Sequence, residues 1–373
     1  MTSRKPPRLI AYYLPQYHPI PENDVWWGKG FTEWTNVAAA KPLFKGHYQP
    51  HIPADLGFYD LRVPEVREAQ AEMAREYGIE GFCYWHYWFA GKRLLERPFA
   101  EVLQSGKPNF PFCLAWANQT WTGIWHGAAD RILIEQTYPG LDDHKAHFKA
   151  LLPAFADDRY IKVDGKPLFV VFQPSDLTSQ AVDTWRDLAV SAGLNGLFLV
   201  GVVKDADGAR HIRGLGFDAC TVSRTSGRGT RPGPVQRYLV RLLGEKRAVG
   251  IYQKVFRRPF HTYRYDGIHP YLDVDSNPEL ECYPCIMPNW DNTPRSGLNG
   301  FVFTNASPGR FQEHLREALR RVEEYENDHR IIIVKSWNEW AEGNHLEPDL
   351  RFGRGFLEAI RSELDCYQSN LPG

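Results

Sequence analysis

Two glutamates three residues apart, Glu339 and Glu342, lie in the segment KSWNEWAEGNHLEPD (335–349), among Trp337, Asn338, Trp340 and Gly343. Residues at i and i+3 share one side of a helical turn, so the two carboxyls face the same space. Rings that exclude water, together with a like charge close by, drive the two pKa values apart. One carboxyl can then hold a proton while the other is ionised. Cleaving a glycosidic bond uses that division: one acid for the leaving oxygen, one carboxylate as base or nucleophile. A helix N-terminus whose glutamates offset the macrodipole would place the same residue types at this spacing. The aromatic setting favours the catalytic reading.

Carboxylates of this kind need a scaffold that brings distant strand ends together. Apolar runs alternate with helical patterns along most of the 373 residues. Strands are predicted at 8–16, 79–89, 111–121, 167–174, 197–205, 217–224, 281–291 and 330–340. Helical spacing follows at 63–78, 94–106, 142–158, 179–193, 207–216, 307–325 and 353–366, with Pro98 arguing for a break near the start of the second. Eight strand–helix units in order predict a (β/α)8 barrel, one domain over 1–373 with long loops and a basic insertion at 225–276. An open doubly wound sheet is the competing fold, but no Gly-rich phosphate loop follows the first strand.

Barrel active sites sit where the strands end, and polar and aromatic residues gather there. Tyr13, Gln16 and His18 follow the first strand, and His86, Tyr87 and Trp88 the second. Trp116, Asn118 and Gln119 follow the third, with Trp121 and Trp125 just beyond, and Gln173 follows the fourth. Asn289, Trp290 and Asp291 follow the seventh; Trp337, Asn338, Glu339, Trp340 and Glu342 follow the eighth. In the loop NDVWWGKGFTEWTNV (23–37), Trp26, Trp27, Glu33 and Trp34 are placed to form a sugar platform or, equally, a packed loop anchor. His86 is read as a site residue, with a core histidine as the alternative.

Composition fits a glycan partner. Aromatics make up 14% of the chain and many stand beside polar residues, as in YWHYWF and WANQTWTGIW. Ring faces stack on the C–H faces of sugars while neighbouring polar groups bond hydroxyls; a Trp-rich core is the alternative. Net charge is −1, which gives no overall pull toward nucleic acid or acidic lipid. The six cysteines are scattered, and the lone C-x-x-C at Cys282–Cys285 is weak evidence for zinc or redox work. Reduced thiols, no metal and no cofactor are therefore expected, and NHLEPD is read as capping the site. The N-terminus lacks a secretory pattern and no stretch has the length of a membrane span, so a cytoplasmic protein is expected.

One region departs from charge balance. From Arg224 to Arg264 there are eleven Lys or Arg and a single acid, Glu245. Val235, Tyr238, Leu239, Leu242 and Leu243 fall on one helical face, with Arg237, Arg241 and Lys246 largely off it. Such a helix packs its apolar face on the barrel, or it offers a surface to an anionic partner: phospholipid headgroups, a lipid-pyrophosphate-linked glycan or a nucleotide sugar. The second account places the protein peripherally at the inner membrane. No nucleic-acid module is recognisable.

The segment SWNEWAEGNHLEP resembles the E-x-x-E signature of glycoside hydrolase family 99, the endo-acting mannosidases and mannanases. Residues 12–62, residues 81–98 and NWDNTPR (289–295) resemble the family-99-like WbsX proteins of bacterial O-antigen and capsule clusters, which are labelled glycosyltransferases or glycosyl hydrolases. The resemblance implies a (β/α)8 barrel acting on a glycosidic bond with retained configuration. It implies that the sugar's own 2-hydroxyl is the nucleophile, forming a 1,2-anhydro intermediate, with Glu339 as base on that hydroxyl and Glu342 as acid. The sugar must then carry a free 2-hydroxyl anti to the leaving group, as α-mannose does. The chain departs from many relatives after the third strand. ANQTWTGIWHG (117–127) stands where ANENWTRRWDG is common, so Gln119, Gly123, Ile124 and His126 replace charged residues, which weakens the transfer of those relatives' substrate; Gln119 and His126 are read as bonding hydroxyls or, equally, as solvated loop residues, while Asn118, Trp121 and Trp125 match. Oligo- or polysaccharide, lipid-linked forms included, is the implied partner. Transfer onto a lipid-linked glycan and a non-catalytic glycan-binding barrel are the competing readings.

Overall fold

The computed structural model describes residues 6–123, 128–222, 233–267 and 280–369. Its centre is a ring of parallel strands: Arg8–Tyr13, Gly81–Phe89, Phe112–Trp116, Lys166–Val171, Phe198–Val203, Ala219–Val222, a seventh over Glu281–Tyr283 and Cys285–Ile286, and Ile331–Val334. All eight predicted strands are present; the second reaches the end of its apolar run at Phe89, whereas the first, third, fourth, fifth, seventh and eighth stop short of theirs. The seventh is split because Pro284 has no N–H to give the ladder. Its first half pairs with the sixth strand (Cys220 beside Cys282) and its second half with the eighth (Cys285 beside Ile333), which closes the ring. Strands buried on both faces read as continuous apolar runs, and RLIAYY, FCLAW, FLVGVV and IIIV are almost wholly buried.

The helices are α1 (Pro21–Trp27), α2 (Glu33–Ala39), α3 (Pro64–Glu76), α4 (Arg97–Ser105), α5 (Leu141–Phe155), α6 (Ser179–Ser191), α7 (Ala206–Gly214), α8 (Pro234–Leu243), α9 (Glu245–Phe256), α10 (Thr293–Ser296), α11 (Pro308–Arg321) and α12 (Gly355–Ser369). The run predicted as helix over 94–106 is helical only from Arg97, so the break expected near Pro98 is where α4 begins; Pro98 lies in its first turn, where a proline forfeits no helical hydrogen bond. Thr178, Asp205 and Ser307 cap α6, α7 and α11 by accepting the N–H of Ala181, Gly208 and Arg310. The short helices α1, α2 and α10 stand on the rim, and the sequence patterning did not predict them. No helix among the described residues is long and apolar enough to cross a membrane.

Within the basic insertion, residues 225–232 and 268–276 lie outside the described residues. The amphipathic segment is helical, but its apolar face divides. Leu239 and Val240 pack on Ala248, Tyr252 and Phe260, whereas Val235, Tyr238 and Leu242 are exposed. Of the two accounts of this face, inward packing therefore holds for Leu239 and Val240 and not for Val235, Tyr238 and Leu242.

Gly81 shows how tightly the ring is built. A methyl group there would run into the carbonyl of Pro111 and lie 2.8 Å from Ile161 Cδ1. Gly81→Ala should cost about 2 kcal/mol or more in urea unfolding; a change below 0.5 kcal/mol, the usual size of a surface effect, would contradict this packing.

Candidate active site

The eighth strand ends at Val334 and the chain then turns back on itself. Asn338–Glu339 pairs antiparallel with Asn344–His345, and Trp340–Glu342 forms a tight turn between them. Gly343 closes the turn at φ +61°, and a Cβ there would sit 3.0 Å from Asp291 Cβ, so this position needs glycine on both counts. In such a turn residues i and i+3 eclipse, which brings Glu339 and Glu342 to the same side as their spacing predicted.

The turn is held from behind by buried polar groups. The Asn338 amide accepts from Leu14 N (2.7 Å) and donates to Leu14 O (3.1 Å), which ties the eighth strand to the first. Tyr17 OH donates to Asn338 O at 2.5 Å. Glu347 accepts from Trp340 Nε1 (2.6 Å), Tyr59 OH (2.8 Å) and Gln70 Nε2 (2.6 Å). Burial pushes the Glu347 carboxyl up to about 7, against the pull of those donors.

In front of the turn stands Arg295, on α10. Its guanidinium meets Glu342 Oε1 at 2.7 Å, Glu33 Oε2 at 3.0 Å and Glu339 Oε1 at 3.7 Å. Burial disfavours its charge, but the three carboxylates more than offset this and raise its pKa. Asp291 orients α10: it accepts from Thr293 N and Thr293 Oγ1 and from His47 Nε2 at 2.6 Å, and its own N–H donates to Glu342 O at 2.6 Å. Burial and then the neighbouring Glu339 push Glu342 up to about 8, with Arg295 and Lys335 pulling the other way. Glu342 Oε2 is buried without a hydrogen-bond partner. One oxygen of this carboxyl is thus pinned, and the other is left to carry a proton.

These groups floor a cavity of about 300 Å³. Its walls are Trp27, Phe31, Trp85, Tyr87, Trp121 and Phe172, with Gln16, Asn23, Asn36, Gln119, Thr120 and Thr122 supplying polar atoms. Of the residues predicted from sequence, Gln16, Trp27, Glu33, Tyr87, Gln119, Trp121, Glu339 and Glu342 meet here.

The others do not line the cavity. Tyr13 OH donates to Gln70 Oε1 at 2.6 Å, and His18 is buried against Pro15 O. His86 lies 2.9 Å from His147 of α5, Trp88 Nε1 donates to Asp143, and Trp116 packs on His147 and Trp185. The core alternative for His86 thus matches its placement. Asn118 ties the third strand to the fourth, accepting from Gln173 N at 2.7 Å. Trp26 packs edge-on to Trp121, and Trp34 anchors its loop through Tyr59 O, Tyr17 and Trp340. Trp337 and Trp340 are buried, the latter stacked on His345 at 3.7 Å. Half-buried Asn289 and Trp290 lead into α10, and the Trp290 ring receives Lys335 Nζ at 4.5 Å. Trp125 and His126 lie outside the described residues.

Strand alternation explains most of these placements. Trp85 and Tyr87 share the face that looks into the barrel mouth, while His86 and Trp88 look toward α5. Of the segment His86–Trp88 only Tyr87 lines the cavity, and its inward neighbour is Trp85, which carries no polar cue in the sequence. Arg295 was also missed as a site residue, although NWDNTPR drew attention; an arginine in a loop gives no sign of the carboxylates it will meet. Lys335 went unremarked for the same reason.

Among the described residues, His51, His345 and Asp349 are close enough to share a cation. Their hydrogen bonds account for the cluster as a brace. His345 Nδ1 donates to Glu347 O (2.9 Å), and its Nε2 faces His51 Nδ1 at 2.8 Å. Asp349 Oδ1 accepts the N–H groups of Arg351 and Phe352. Burial lowers both imidazoles, His51 to about 3, which keeps the rings neutral.

The fold and site define a closed parallel (β/α)8 barrel with paired carboxyls in an aromatic-walled mouth. The chain belongs to the family described as Glycosyltransferase WbsX, whose family model matches residues 9–360. It is 38% identical over 364 residues to the uncharacterized protein WxcX of Xanthomonas campestris pv. campestris strain B100, covering 96% of this chain and 50% of that protein. WxcX of a second strain of that pathovar matches equally, so the chain spans about half the length of the curated relatives it matches. Among solved structures, the fold is similar to a family 99 endo-α-mannosidase from Bacteroides thetaiotaomicron (TM-score 0.58, 12% identity, 97% of both chains). It is similar also to a glycoside hydrolase-like protein (TM-score 0.61, 13% identity, 98% of this chain and 95% of that one). At such identities the likeness is one of fold.

The raised Glu342 carboxyl has a stability consequence. Unfolded, it titrates near 4.5; folded, near 8. Between these values the folded state holds the extra proton, so stability is lost as pH rises through that window. Glu342→Gln should therefore unfold a few degrees above the parent at pH 8, with the gap closing toward pH 4.5 in thermal scans. A gap of constant size across that window would place the raised pKa elsewhere.

Proposed function

We propose that the chain makes or breaks a glycosidic bond with retention, Glu342 acting as acid and Glu339 as base. The observation that carries this reading is the buried glutamate pair with a proton-holding Glu342, floored under a cavity walled by sugar-stacking rings. The reaction follows from the roles that the family 99 resemblance implies. Glu339 takes the proton of the sugar 2-hydroxyl, whose oxygen attacks C1. The C1–O bond to the leaving group breaks, and Glu342 delivers its proton to that oxygen. An acceptor hydroxyl then opens the 1,2-anhydro ring at C1, losing its proton to Glu342 while Glu339 returns one to O2. Two inversions give net retention, and a mannose-configured sugar places O2 anti to the leaving group.

The acceptor is water in a hydrolase and a sugar hydroxyl in a transferase. The family's description and the basic insertion favour transfer to a lipid-linked glycan of bacterial surface polysaccharide, handled in the cytoplasm near the inner membrane. The cavity's neutral polar walls suit hydrolysis of a neutral glycan equally. A glycan-binding barrel without catalysis is the remaining reading.

Product NMR after incubation with polysaccharide or lipid-linked oligosaccharide from the source cell would identify bond, configuration and acceptor. Glu339→Gln and Glu342→Gln should each lower turnover by roughly a hundred- to ten-thousand-fold. An aryl glycoside, whose leaving group needs no proton, should rescue Glu342→Gln and not Glu339→Gln. Unchanged turnover in the double variant would sink the catalytic assignment.

A further inference from the structure

We infer that the α8–α9 hairpin is a peripheral docking element for an anionic lipid bilayer. On α8, Val235, Tyr238 and Leu242 follow a 3–4 spacing on one face, and all three are exposed, Tyr238 at 66% and Leu242 at 64%. On α9, Ile251, Val255 and Phe256 are likewise exposed, Val255 at 64%. Soluble surfaces carry single apolar side chains, not successive turns of them on two neighbouring helices. The hairpin does have an inner face: Leu239 and Val240 pack on Ala248, Tyr252 and Phe260, and Gln236 Nε2 donates to Tyr252 OH. The outward residues are therefore a second apolar face on a helix pair that is already packed.

Charge decides what covers that face. Arg237, Arg241, Lys246, Arg247, Lys254 and Arg257 are exposed on the same two helices or their caps, against one exposed acid, Glu245. Apolar side chains flanked by arginine and lysine are the pattern of a helix that lies in a membrane interface, with rings and aliphatic chains in the acyl boundary and cations on acidic headgroups. A second copy of the chain would bring the same cations against one another.

The hairpin also lies on the side of the barrel where the site opens. Gln253 Nε2 donates to Leu298 O at 2.8 Å and to Asn299 Oδ1, just beyond the helix that carries Arg295, and Arg258 covers the Phe44 ring at 4.5 Å. Docking through the hairpin would hold the cavity mouth close to lipid-linked chains. The proposal does not depend on the catalytic reading, because lipid binding is measured without turnover.

The test is co-sedimentation of the full chain with vesicles of phosphatidylcholine, with and without phosphatidylglycerol. Binding is expected to the anionic vesicles only and to weaken with added salt. Tyr238→Ser with Leu242→Ser should weaken it about tenfold or more, as should Arg237→Gln with Arg241→Gln. The parent's thermal unfolding should be kept, since all four side chains are exposed. Failure to bind anionic vesicles at low salt, equal binding to neutral ones, or full binding by the serine variant would overturn the proposal. So would a parent dimer in size-exclusion chromatography that the serine variant converts to monomer without any vesicle binding.

Discussion

The site depends on one buried cation. Three glutamates from two distant parts of the chain, Glu33 on α2 and Glu339 and Glu342 after the last strand, converge on the guanidinium of Arg295. Burying three carboxylates without a countercharge would be prohibitive. Arginine suits the task because its planar fork serves two partners at once and keeps its charge when buried. Three acids against one arginine leave one carboxyl best protonated, and burial together with the charge of the neighbouring Glu339 makes that Glu342.

Everything behind this cluster keeps it from relaxing. Asp291 links the Arg295 helix to the Glu342 backbone, and Asn338 stitches the turn to the first strand. Glu347 gathers Trp340, Tyr59 and Gln70 into a single hydrogen-bonded knot beneath the turn. Such a network is itself expensive, since Glu347 is a further buried carboxyl at a raised pKa. A barrel with eight well-packed strands can carry that cost, which accounts for finding both features on the strand with the most apolar sequence.

The hairpin follows a different logic. Elsewhere an apolar helical face finds a strand or another helix; here the two helices cover only part of each other. The remaining apolar and basic surface stands at the edge of the rim, next to the loops that form the site.

Much of this was legible in the chain. Apolar runs of strand length alternating with amphipathic runs name a (β/α)8 barrel, because burial on both faces and burial on one stripe leave different periods. The glutamate pair was legible too, since a three-residue spacing sets a shared side once the segment forms a helical turn. Which rim residues point inward was not. Trp85 and His86 are adjacent and both fit a site, and only the pleat and ring closure decide that Trp85 faces the cavity and His86 faces α5. Nor could the sequence show Arg295 between Glu33 and Glu342, or which half of the α8 stripe would be covered. Those outcomes depend on contacts between residues far apart in the chain, where local period and residue type carry no information and only the packed fold sets the distance.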